Sequence, residues 1–319
     1  MTKVSSAFLK QKEFYHRNYV YLSTPSHLLP NTPTIVLGDQ GTRRCRFCGN
    51  SEPETRFTSK AHAIPECLGN KSLFTKYECD TCNEHFGSAF ERDLGNWSIV
   101  SRVLAGIRGK RRVPRVEESG SQSGLRVTQS SVGLVYTEFG DSSIIILDEN
   151  NKQVQLDAKR YAYRPRAVLK SFVKIGLTLL PDDEIGHFSE TLTWLRNADH
   201  SRSFFQRCPV IDTFICGPSW RQLIIVRLLR RKSHCNDLPY TFLILGFANH
   251  LFQVWLPCRA KDEHIWNVSM EIPPFIPINA SSLFRYGNPV TRNIDLSGDE
   301  VVKDEKDPHT LVFDSFETK

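Results

Sequence analysis

Residues 45–91 read CRFCGNSEPETRFTSKAHAIPECLGNKSLFTKYECDTCNEHFGSAFE, and this stretch decides how the rest of the chain is understood. It holds two Cys-x-x-Cys knuckles, Cys45/Cys48 and Cys79/Cys82, with His62 between them and Asn83 directly after the second. Zinc takes four tetrahedral ligands, and a Cys-x-x-Cys turn places two thiolates at the separation a tetrahedron needs. Gly49 follows the first pair, where the backbone must turn sharply. Scattered buried thiols would not repeat this spacing, and a redox Cys-x-x-Cys would sit alone in a βαβ setting. The expectation is a structural zinc site with all four positions closed by Cys45, Cys48, Cys79 and Cys82, leaving none open for chemistry.

Outward from that stretch, 319 residues with 40% hydrophobic and 11% aromatic composition suffice for about two domains with real cores. The formal charge of +6 is compatible with a polyanionic partner but does not demand one, so local clusters must carry that argument. The first twenty residues are charged throughout and lack the apolar core of a signal peptide. Nine cysteines cannot all pair, which fits a reducing compartment, and the expected location is cytoplasmic. No apolar run reaches the roughly 18 residues of a membrane span, so no membrane partner is expected.

The chain then divides by texture. Residues 1–40 show no clear period apart from one short strand at 34–39, and are read as a lead-in; residues 41–98 are the cysteine module. Residues 99–124 begin with helical spacing over Ile99–Arg108 and continue as a Gly-, Ser- and Arg-rich linker. From 125 to 319, β-branched and alternating runs predict antiparallel strands around a helix opened by Pro165, in which Val168, Leu169, Phe172, Ile175 and Leu179 share a face. Asp182 and Asp183 are positioned to cap a further helix, and a tight turn is expected at Ala248-Asn249-His250. The fold class is α+β: a small zinc-stapled module followed by a larger α+β domain. That larger domain carries no phosphate loop, nucleophile elbow or dinucleotide fingerprint. A targeting or regulatory role is left to it, with a second copy of the chain or a regulatory partner as what it could recognise.

The order Cys-x2-Cys, then His followed by Ile-Pro, then Cys-x2-Cys-Asn resembles the zinc-stapled branch of the HNH, or ββα-metal, endonucleases. The matching residues are Cys45, Cys48, His62, Ile64, Pro65, Cys79, Cys82 and Asn83, followed by Phe86, Gly87 and Glu91. The resemblance implies a metal-dependent endonuclease that hydrolyses DNA phosphodiester bonds, in a setting such as defence against foreign DNA. It makes His62 the general base and Asn83 a ligand of a catalytic Mg²⁺ or Mn²⁺ ion, with His85 and Glu91 as further candidates for the shell. Two departures stand out. Ala61 occupies the place where the family carries an acidic metal ligand, and Phe74 stands where the family has an Asn. The residue that orients His62 is then Asn70, Ser72, Thr75 or a backbone carbonyl. Without the acid, a zinc-stapled nucleic-acid-binding or regulatory module with no hydrolytic activity is the alternative. Arg102, Arg108, Lys110, Arg111 and Arg112 form a run that could neutralise phosphates of double-stranded DNA, giving affinity and not sequence choice.

Overall fold

The computed structural model describes residues 6–22, 27–38, 43–118, 122–129, 134–202, 205, 209–220, 222–276 and 285–312. Helices and strands are both well represented, as an α+β chain requires. Cys208 and the last residues of the tail strand expected around 310–316 lie outside the described residues.

The organising element is the helix Pro165–Leu179, whose proline occupies the first turn, where no N–H is needed. Its residues from Ala167 to Leu179 are all buried, because it lies between the cysteine module on one side and a sheet on the other. The sheet is antiparallel and, among the described residues, has seven strands. Its path runs Tyr19–Leu22, Ile224–Arg231, Thr241–Phe247, His250–Trp255, Val210–Phe214, Val290–Ile294, with His27–Leu28 also paired to Ile224–Arg231. Phe172 and Trp97 pack against Phe252, edge-on or tilted, tying helix, module and sheet together. Gly176 allows the close approach: a Cβ there would come within 2.5 Å of Leu256.

Thr241–Phe247 is buried at every position, so it reads as a continuous apolar run and not as an alternation. The turn to His250–Trp255 is a two-residue loop in which Ala248 and Asn249 have φ of 50° and 66°, the type I′ geometry that matches strand twist. Asn249 makes that turn possible without glycine by accepting from the Trp220 N–H and donating to the Ile215 and Pro218 carbonyls.

The structure departs from expectation in the first forty residues. A helix, Ser6–Asn18, and the strand Tyr19–Leu22 form there, and that strand pairs Arg231 through Leu228 of the sheet. The basic end of Ile224–Arg231, which on its own looks like an exposed edge, is thereby covered. Arg231 is buried against Asp262, and Arg230 pairs with Glu184. Ile35–Leu37 goes the other way and pairs in parallel with Leu73–Thr75 of the cysteine module.

The helix expected over 99–108 stops at Leu104. Gly106, at φ 64°, closes it: its N–H bonds to Val103 O, and the Ile107 N–H reaches back to Arg102 O, the paired bonds of a Schellman ending. Asp182 and Asp183 cap nothing; a 3₁₀ turn, Ile185–Phe188, precedes the helix Ser189–Arg196, and Asp182 is taken by Arg46. Two small antiparallel sheets complete the chain: Arg115–Glu117 with Gly124–Gln129 and Leu134–Phe139, and Ile145–Asp148 with Gln153–Leu156 and His309–Val312. Among the described residues no helix is long and apolar enough to cross a membrane.

Candidate metal and cleavage site

The first knuckle turns because Gly49, at φ 79°, sends its N–H back to Cys45 O, while Cys45 N–H bonds to Asn50 O. The second knuckle opens the helix Asp80–Phe86, with Cys79 at its N-cap. Asp80 ties this end to the preceding loop by accepting from the Thr58 and Ser59 N–H groups and the Thr58 hydroxyl, and these bonds hold its carboxyl down to about 2. The result brings Cys45, Cys48, Cys79 and Cys82 together with all four sulfurs within 4.8 Å of one another. Cys48 and Cys79 sulfurs are 3.8 Å apart. A tetrahedron with metal–sulfur bonds of about 2.3 Å has edges of about 3.8 Å, so the four positions fit a zinc-sized, thiolate-preferring ion. Hydrogen bonding with Cys82, working against burial and helped by the Cys48, Cys79 and Phe47 amides, favours the thiolate at Cys45.

His62 lies on a short β bridge to Phe74, and the Ala63 and Thr75 N–H groups exchange bonds with Leu73 O and Ala61 O on either side. The loop between is fixed by Asn70. Its amide donates to Ile64 O and Leu73 O, and its carbonyl accepts from the Ser72 and Leu73 N–H groups. Of the candidates for orienting His62, Asn70 is the one the fold brings there, with its amide nitrogen 3.4 Å from His62 Nδ1. Both amide hydrogens are already committed to carbonyls, so Asn70 fixes the loop and leaves the imidazole tautomer free. Phe74 packs its ring on the imidazole, centroids 4.6 Å apart, which explains an aromatic where the family has an amide. Glu66 Oε2 is 3.9 Å from His62 Nε2, and its other oxygen is held by Lys71 at 2.6 Å. Burial lowers the His62 pKa; Glu66 pulls the other way and Lys71 adds to the lowering. The imidazole is thus neutral below the ordinary histidine range, the state a base requires. Glu66 had no signal in the sequence beyond lying four residues after His62.

From the second knuckle runs the helix Asp80–Phe86, continued by a π-helical turn, Gly87–Glu91. Asn83 is half-buried inside the helix and is not its cap, and its carboxamide has no hydrogen-bond partner among the described residues. One α turn of about 3.6 residues and one wider π turn bring Glu91, eight residues on, back to the same side of the helix as Asn83. Glu91 is held there by Lys174 at 3.1 Å. That ammonium also reaches Glu78 at 2.8 Å and the His62 carbonyl at 3.4 Å. Burial pushes Glu78 up to about 7 against the pull of Lys174, while the two carboxylates outweigh burial to keep Lys174 protonated. Neither Glu78 nor Lys174 could be tied to the site from spacing, since 112 positions separate Lys174 from His62.

His85 is half-buried with its ring against Phe86, and its Nε2 has no partner among the described residues. Among the described residues, the four cysteines are the one group of three or more His, Cys, Asp or Glu side chains close enough to hold an ion. His85 is therefore not gathered with two other such donors among the described residues. Asn83 carries an oxygen donor of the kind a hard ion takes beside water and substrate phosphate, whereas Glu91, eight residues on, lies about 12 Å further along the axis and is held by Lys174.

The basic run splits. Arg102 is buried, donating to Cys67 O, Gly95 O and the Ser98 hydroxyl, so its place in a nucleic-acid surface is corrected: it holds the helix to the module from inside. Arg108, Lys110, Arg111 and Arg112 are exposed on a turn closed by the Gly109 N–H to Arg112 O. Lys71 anchors that turn beside His62, bonding Gly109 O and Glu66 both at 2.6 Å. A cavity of about 390 Å³ lies elsewhere, beside the first knuckle, between Arg44, Lys76, Tyr77 and the Asp182–Leu192 segment.

Residues 45–97 match the family model described as HNH endonuclease. No curated protein matches the chain, and no solved structure does. The matched span begins at Cys45 and includes the cysteine cluster, the His62 bridge and the helix that follows. Residues 45–97 are thus an HNH-type endonuclease module, carrying a four-cysteine cluster and set against a larger mixed helix and sheet fold.

Proposed function

We propose that this chain is a metal-dependent endonuclease that hydrolyses phosphodiester bonds of double-stranded DNA, with His62 as general base. The observation that supports it is a half-buried imidazole packed on Phe74 and flanked by Glu66, whose main chain Lys174 links to Glu91 at the end of the helix that carries Asn83. His62 Nε2 takes a proton from a water poised to attack phosphorus, and Glu66 stabilises the imidazolium that results. Asn83 would be a ligand of a Mg²⁺ or Mn²⁺ ion that keeps water and substrate phosphate in the rest of its shell and supplies charge stabilisation to the phosphoryl oxygens when bound. The exposed turn Arg108–Arg112 grips the DNA backbone next to the scissile bond, fixing position and not sequence. A zinc ion on the four cysteines holds the two knuckles together and takes no part in bond cleavage.

A second reading, a nucleic-acid-binding module that does not cut, is favoured by two observations. Ala61 is buried where an acidic ligand is expected, and Glu66 and Glu91 are each already paired with a lysine. Plasmid DNA incubated with purified chain and Mg²⁺ or Mn²⁺ decides between them. Cleavage that disappears in His62→Ala while DNA binding persists is the expected result; binding without cleavage under either ion overturns the endonuclease reading. Duplex DNA and single-stranded RNA offered in parallel identify the preferred polymer.

A further inference from the structure

We propose that Lys174, which lies outside the segment matching the family, is a positioning residue of the cleavage site that holds Glu91 against the main chain of His62. The inference rests on the endonuclease reading, but its geometry is independent of that reading. One ammonium touches Glu91 at 3.1 Å, Glu78 at 2.8 Å and His62 O at 3.4 Å, joining the bridge that carries the base to the helix that carries Asn83. Lys174 and Glu78 side chains are 1% and 0% exposed, whereas Glu91 is 21% exposed, so the buried pair faces inward and the one carboxylate it steadies opens outward.

A buried ion pair is a poor way to add stability, since desolvation of each partner costs several kcal/mol and apolar replacements of similar volume are often as good or better. The same helix shows what a lysine with no site to serve does. Lys170, one turn earlier and also fully buried, sends its ammonium to Asn197 O at 2.6 Å and over the Trp194 ring, away from the module. Lys174 instead faces the module, where the adjoining turn of the helix also receives Ser171, whose hydroxyl donates to Phe90 O. The π-helical turn Gly87–Glu91 is the element it pins. Such turns sit within helices at functional sites, and this one redirects Glu91.

The experiment compares wild type, the pair-removing double variant Lys174→Met with Glu78→Gln, and Lys170→Met as a control for a lost buried lysine. The double variant removes the buried charge pair as a unit, so it keeps the chain folded where Lys174→Met alone leaves two carboxylates unpaired. Expected is a double variant that folds, retains its bound zinc and binds DNA with unchanged affinity. Its kcat should fall about 100-fold, the scale of loss for a catalytic group displaced by about an ångström. Hydrogen exchange should rise in the Gly87–Glu91 turn and around His62, and not in the Pro165–Leu179 helix. Lys170→Met should keep wild-type kcat and wild-type exchange in the turn. A double variant with wild-type kcat and unchanged exchange in Gly87–Glu91 overturns the positioning role and leaves the endonuclease reading standing. A wild-type chain that cuts nothing overturns the endonuclease reading, and unchanged exchange in Gly87–Glu91 of the double variant then overturns the ordering of that turn by Lys174 as well.

Discussion

Replacing Arg46 by alanine tests whether the cysteine module and the central helix fold as one body. Arg46 sits between the first two cysteines, its side chain is 3% exposed, and its guanidinium closes the C-terminus of the helix. One nitrogen donates to Leu177 O at 2.8 Å, Thr178 O at 3.0 Å and Leu180 O at 2.8 Å, the other pairs with Asp182, and the plane lies 3.5 Å from the Tyr77 ring centroid. Helix-terminal carbonyls left without a donor in a buried setting cost about 1–3 kcal/mol each, and removal of the cation–π interaction about 1 more. Water entering the vacated space recovers part of this, so the expected loss is about 3–5 kcal/mol. Arg46→Lys should recover less than half, because a single ammonium cannot reach three carbonyls and lie flat on a ring. Urea denaturation followed by far-ultraviolet circular dichroism, with zinc content measured on the same samples, reads the loss directly. Zinc occupancy should be unchanged in the folded fraction, since none of the four thiolates is touched. A loss below about 1 kcal/mol, within the range of ordinary surface substitutions, would refute the claim that Arg46 joins the two parts.

The other expectations are simpler. Purified chain should carry about one zinc, and Cys79→Ser should lose both the ion and the fold, because closing a structural site is itself folding energy; a folded, metal-free wild-type chain would contradict the staple. His62→Ala should lower kcat by about 10²–10⁴-fold with DNA affinity intact, measured by single-turnover cleavage beside a binding isotherm. Burial lowers the His62 pKa against the opposing pull of Glu66, so the acidic limb of the kcat/KM profile should lie below pH 6.5. Glu66→Gln removes the upward pull and should move that limb further down, and a move to higher pH would show that Glu66 is not beside the base. Changing Arg108, Lys110, Arg111 and Arg112 to alanine together should weaken binding alike for all sequences. It should also flatten the plot of log affinity against log salt by about 0.9 for each phosphate no longer neutralised; an unchanged slope would remove the turn from the DNA surface.

The amino-acid sequence alone fixes what is carried by short-range chemistry. Cys-x-x-Cys spacing is a statement about one turn of backbone, so the cluster of Cys45, Cys48, Cys79 and Cys82 could be read before any fold was known. The same holds for the helix that begins at Pro165, while the tight turn expected at Ala248-Asn249-His250 was legible in place but takes its bonds from Trp220, Ile215 and Pro218, some thirty positions away. Periodicity failed where pairing decides the outcome. Tyr19–Leu22 has too few residues to show a period, yet it covers a strand two hundred positions away. Arg102 illustrates the limit for charge. In sequence it is one of a basic run, and only packing shows that its guanidinium is bonded within the module while Arg108 and Arg112 reach solvent. Around His62, Ala61 signals what is missing but not what stands near. Asn70 is one of several choices until its four backbone bonds single it out, and Glu66, Glu78 and Lys174 are brought in by a loop, a knuckle and a separate helix. Electrostatic partners act over a few ångströms of space whatever their distance along the chain. The sequence could therefore single out His62 and the four cysteines, while the surroundings that shift the imidazole's pKa and tie its bridge to the neighbouring helix were decided by tertiary packing alone.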